Sequence, residues 1–97
     1  MTTEAVDFAA FDRVVEERLE RWTQELIEYL AISSEGGDMP GLRAAADWTA
    51  ERLRRLGATV EVLEADGVPP LVVGEIGDGP RTVSAVQHYD VQPASPL

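Results

Sequence analysis

At Gly57 the hydrophobic period of this 97-residue chain changes from helical to extended, and that change constrains the fold class more than any other feature. Before it, Phe8, Phe11, Val15, Leu19, Trp22, Leu26 and Tyr29 follow one another in steps of three and four. That spacing predicts an amphipathic helix over Phe8 to Ile32. Glu16, Glu17, Glu20, Arg21, Glu25 and Glu28 take the other positions and read as a solvated face. The turn-forming run Ser33 to Asp38 ends the helix. A second helix is predicted from about Pro40 to Leu56, with Asp38 as N-cap and Pro40 in the first turn, where a missing N–H costs little. Leu42, Ala45, Ala46, Trp48, Thr49, Leu53 and Leu56 form its apolar face. Arg52, Arg54 and Arg55 complement the negative end of its dipole, and Gly57 follows as the expected terminator. Phe11, Trp22, Tyr29 and Trp48 read as core.

Beyond Gly57, Ala58 to Glu64 alternates, with Val60 and Val62 on one side and Glu61 and Leu63 on the other, as a strand near a sheet edge does. Asp66 to Pro70 reads as a turn, Leu71 to Ile76 as a second strand and Gly77 to Pro80 as another turn. Thr82 to Gln87 is mostly apolar and β-favouring, which predicts a third strand buried on both faces. Two helices followed by three strands are the opening of an α/β domain. The few residues after the last strand offer no further helix to cover the sheet's second face, so the chain reads as an incomplete folding unit.

Composition narrows the partners. The formal net charge is −10, and all eight basic residues are arginine. Such a chain is repelled by nucleic acid and by anionic membranes, and no apolar run approaches the length of a membrane span. The absence of lysine reads as a trait of the genome or habitat rather than of chemistry. Without cysteine there is neither a disulfide framework nor thiolate chemistry. Residues 1–17 are acidic and lack the basic and apolar regions of a secretory signal, so the expected location is cytoplasmic.

The chemistry concentrates at the sole histidine, His88, which directly follows the expected third strand. Ligands of open α/β sheets bind at the carboxyl ends of strands. Asp90 lies two residues on, and residues i and i+2 of an extended segment share a side. Its carboxylate can accept one imidazole N–H and leave the other nitrogen as a metal ligand. From the residues alone two readings stand: a ligand with its orienting carboxylate, or a loop histidine beside an aspartate that caps a turn and a tyrosine that packs on a neighbour.

The run Gln87-His88-Tyr89-Asp90-Val91-Gln92-Pro93 resembles the first metal-binding motif of the M20 family of zinc peptidases and deacylases. "LIEYLAISS" (Leu26 to Ser34) resembles the end of that family's first helix. Leu42 to Gly67 resembles its second helix and first strand, and Pro69 to Leu97 the two strands entering the site. The resemblance covers nearly all of the chain past the first few residues.

The resemblance implies a zinc-peptidase-like α/β/α sandwich, of which residues 1–97 form the N-terminal portion of the catalytic domain. His88 matches the first histidine ligand to one of two zinc ions, with manganese or cobalt as alternatives. Asp90 matches the active-site aspartate that holds that histidine. The Tyr-Asp-Val-Gln-Pro wording is similar to the dipeptidase branch, which includes carnosinase-like enzymes, and implies a dipeptide or short-peptide substrate and a homodimeric full-length protein. Gln87 departs from the glycine of many members. The bridging aspartate, the Glu-Glu pair, a further acidic ligand, a distant histidine and the lid-like dimerisation domain are all expected beyond Leu97, so the 97 residues are expected to be inactive alone. Two alternatives accompany this expectation, a non-catalytic remnant or interaction module and an M20-type N-acyl amino acid deacylase.

Overall fold

The structure, a computed structural model, describes residues 5–93. The chain divides into two units, Met1–Ala31 and Ile32–Leu97.

The first unit holds α1, Phe8–Leu30. Asp7 caps it, its carboxylate accepting the Ala10 N–H at 3.0 Å and satisfying one of the donors a helix start leaves open. On the helix surface the Arg21 guanidinium lies 3.4 Å from the Glu25 carboxylate one turn away. The helix ends two residues before the expected Ile32. None of its residues is buried. Phe8, Phe11, Leu19 and Leu26 are each more than half exposed. Phe11 is therefore not a core residue, contrary to the sequence reading. Periodicity reveals that a stripe is apolar but carries no information about what covers it.

The second unit holds α2, Met39–Arg55, then β1, Thr59–Ala65, and β2, Val68–Glu75. Asp38 caps α2 by accepting the Gly41 N–H at 3.0 Å. At the other end the Ala58 N–H donates to the Leu53 carbonyl at 3.0 Å and the Gly57 N–H to the Arg54 carbonyl at 2.9 Å. This paired pattern is the Schellman motif, and it needs a left-handed residue after the last helical turn. Gly57 supplies it with φ 91°, a conformation that costs glycine nothing.

β1 and β2 form an antiparallel hairpin in which Val60 opposes Gly74, Val62 opposes Val72 and Leu63 opposes Leu71. The turn is shorter than expected, since Val68, Pro69 and Pro70 belong to β2. Between Leu63 and Ala65 the register shifts by one residue, which puts Pro69 and Pro70 together opposite Glu64. Neither proline has an N–H to give to the ladder, and a bulge is where a strand tolerates that loss.

One face of α2 packs on this hairpin. Leu42, Ala45, Ala46 and Ala50 share one face of the helix and are at most 1% exposed; with Pro70 of β2 they are the buried apolar residues among those described. The alanines let the helix approach closely. Where it does, a side chain on Gly74 would meet Leu53 at 2.9 Å.

The expected third strand does not form. Thr82 to Gln87 joins no ladder among the described residues, and Val83 and Val86 are 95% and 93% exposed. The sheet is two-stranded, so this is a mixed α/β arrangement without a sandwich. A strand exists only when a neighbour pairs with it; β1 and β2 pair with each other, and nothing described here pairs with Thr82 to Gln87.

Candidate metal-ligand site

The segment carrying the motif is held by the loop between the helices. Ser34 sits in that loop, only 4% exposed. Its hydroxyl donates to the Tyr89 carbonyl at 3.0 Å, and its own carbonyl accepts the Val91 N–H at 2.9 Å. These two bonds bracket Asp90. They accompany a parallel bridge between Glu35 and Val91. A third tie comes from Tyr89, whose hydroxyl donates to the Pro70 carbonyl on β2.

The loop is anchored in turn to the start of α2. The Ser33 hydroxyl lies 3.2 Å from the Asp38 carboxylate, and the Asp38 N–H donates to the Glu35 carbonyl at 3.0 Å. Gly41 packs so closely that an added Cβ would stand 1.5 Å from the Ser33 carbonyl oxygen.

His88 and Asp90 come together as their i, i+2 spacing predicts. The His88 Nδ1 lies 3.1 Å from the Asp90 Oδ1 and 3.0 Å from the Asp90 backbone oxygen. Both neighbours are acceptors, so Nδ1 carries the proton and donates to them. In the neutral imidazole Nε2 is then the nitrogen with the lone pair. The imidazole is 85% exposed. His88 does not stand at the end of a central strand, since the run before it pairs with no strand among the described residues.

Beside this pair lies a cleft of about 490 Å³, lined by residues that include Leu42, Pro70, Leu71, Tyr89 and Asp90. Its walls are mainly apolar, and Asp90 is the charged residue among them.

A zinc ion takes four donors, three of them from the protein in catalytic sites. Among the described residues no group of three His, Cys, Asp or Glu side chains converges. The His88–Asp90 pair fits the part of one ligand with its orienting carboxylate, and these residues by themselves do not make a complete site.

Sequence reasoning missed Ser34. The only signal was its place in the serine pair that ends "LIEYLAISS", and a hydroxyl's distant partner leaves no local trace. The Tyr89 hydroxyl bond to Pro70 likewise leaves no signal in the sequence. Among the described residues no helix is long and apolar enough to cross a membrane. Compared with family models, curated proteins and solved structures, the chain gives no significant match.

Proposed function

We propose that the chain is the N-terminal part of the catalytic domain of an M20-type di-zinc peptidase, acting on dipeptides or short peptides. The observation that carries this reading is the contact of the His88 Nδ1 with the Asp90 carboxylate at 3.1 Å. It holds the imidazole in the tautomer that leaves Nε2 open to a metal, the carboxylate–histidine arrangement common at zinc sites. His88 is the ligand and Asp90 the group that orients it. The remaining carboxylates and the second histidine come from residues outside this stretch. His88 would contribute one ligand to zinc, or to manganese or cobalt in its place, and the metal would supply Lewis acidity.

The exposed run before the motif supports the same reading. Thr82 to Gln87 has the composition of a buried strand, yet Val83 and Val86 are almost fully exposed. In the larger α/β/α sheet of the proposal that run pairs and its valines are covered. Tyr89 favours the dipeptidase branch over the deacylase alternative, whose members more often carry a small or apolar residue there. Cytoplasmic location and homodimerisation belong to the same proposal.

The test is to read the coding sequence past Leu97 and assay its full product. A bridging aspartate and a Glu-Glu pair should follow, and zinc-dependent dipeptide hydrolysis should be lost in H88A. If no such carboxylates follow in any frame, the peptidase reading fails. The 97 residues alone should show neither micromolar zinc binding nor hydrolysis.

A second reading, a non-catalytic interaction module, is favoured by the exposed apolar stripe of α1. An apolar face of that kind marks a surface for a partner. Zinc-dependent hydrolysis by the full-length product would defeat it.

A further inference from the structure

We infer that Ser34 is a positioning residue for the His88–Asp90 pair, fixing which imidazole nitrogen is available to a metal. The inference rests on the metal-ligand reading above and adds a residue to it from the other side of the chain. Ser34 lies 55 positions before Tyr89 in sequence, yet its hydroxyl donates to the Tyr89 carbonyl at 3.0 Å. Its backbone carbonyl accepts from the Val91 N–H at 2.9 Å. One residue therefore grips the backbone immediately before and immediately after Asp90.

That grip matters because of what Asp90 does. Nδ1 of His88 is held by two oxygens of the same residue, the Asp90 carboxylate at 3.1 Å and the Asp90 backbone carbonyl at 3.0 Å. The backbone oxygen has no freedom of its own; it points where the peptide plane directs it. Freeing the Tyr89 carbonyl lets the peptide before Asp90 rotate and swings the Asp90 carboxylate off Nδ1, while the Val91 N–H bond to the Ser34 carbonyl still holds the peptide after it. At 85% exposure the imidazole has no packing of its own to hold it. Its orientation depends on the segment beneath it. Ser34 is buried and hydrogen-bonded, so it is itself well held. A buried hydroxyl whose bond goes to a distant backbone carbonyl contributes geometry as well as stability.

His88 is the only histidine in the chain, so its ring nitrogens can be observed without assignment ambiguity. The experiment is nitrogen-15 NMR of the imidazole in the 97-residue chain at alkaline pH. The wild-type chain should show mainly the Nδ1–H tautomer. S34A should shift the population toward the Nε2–H form that a free histidine side chain favours, with the helical circular dichroism retained. S34T, which keeps the hydroxyl, should restore the wild-type tautomer. If S34A does not fold, S34C takes its place, because a thiol is a weak donor of nearly the same size; an intermediate tautomer ratio is then expected.

The outcomes separate the two readings. A wild-type ring already in the Nε2–H form would overturn the site geometry itself. A wild-type ring in the Nδ1–H form that S34A or S34C leaves unchanged would overturn the role of Ser34 alone.

Discussion

The Tyr89 hydroxyl donates to the Pro70 carbonyl, 19 residues earlier in the chain, and so ties the motif segment to β2. Pro70 is buried, and a buried carbonyl that loses its donor costs more than the bond was worth when made. Y89F should therefore destabilise the fold by about 1–2 kcal/mol. Urea denaturation of the two proteins checks it; identical midpoints would mean the bond is not formed in solution.

Leu42 and Phe11 make a matched pair of opposite expectation. Leu42 is 1% exposed beneath the hairpin, whereas Phe11 is 64% exposed. L42A should lose about 2–4 kcal/mol, from transfer and cavity terms together. That is a large share of the stability available to so small a core. F11A should stay within about 0.5 kcal/mol of the parent. Chemical denaturation followed by circular dichroism distinguishes them. A loss in F11A as large as that in L42A would show that the α1 stripe is buried in solution.

Gly41 and Gly36 differ in the space around them. A Cβ on Gly41 would stand 1.5 Å from a backbone oxygen, whereas one on Gly36 meets nothing within 4 Å. G41A must push α2 away from the Ser33 carbonyl, and a cost above about 2 kcal/mol is expected. G36A should change stability by less than about 0.5 kcal/mol. Thermal unfolding of both variants provides the comparison, and equal midpoints would contradict the close approach.

Val86 tests the unpaired run. At 93% exposure it contributes almost no burial, so V86K should leave the unfolding free energy of the 97-residue chain within about 0.5 kcal/mol. Exposed apolar β-prone segments invite pairing between molecules, and an added lysine opposes it. Higher solubility at unchanged stability is the expected result, read by light scattering and urea titration. A stability loss above about 1 kcal/mol would mean the valine is packed.

The parts of the fold that were legible in the sequence are those decided locally. The ends of α2 follow from Asp38 and Gly57, each acting on backbone within a few residues. The two strands follow from the extended pattern on either side of Asp66-Gly67, though their pairing as a hairpin was not part of that reading. Pro69 and Pro70 read as turn in the sequence, yet they lie in β2, where the bulge opposite Glu64 absorbs their missing N–H groups. Thr82 to Gln87 departs from expectation for a different reason. Composition describes what a segment could bury, whereas a ladder partner is a non-local fact.

The candidate site divides the same way. The contact of His88 with Asp90 was readable from a spacing of two. The bonds from Ser34 that brace it were not, because no periodicity connects two loops 55 residues apart.

That separation has a kinetic consequence. The hairpin closes over a two-residue turn, and α2 forms from neighbours along the chain, so both can assemble within microseconds. Docking Tyr89 and Val91 against Ser34 must close the whole intervening loop first, and contacts of such long range are slow to form. The same few bonds are correspondingly the first to break in a partial opening. The order of assembly therefore leaves the imidazole's orientation to the last event of folding, after the scaffold that carries it is already in place.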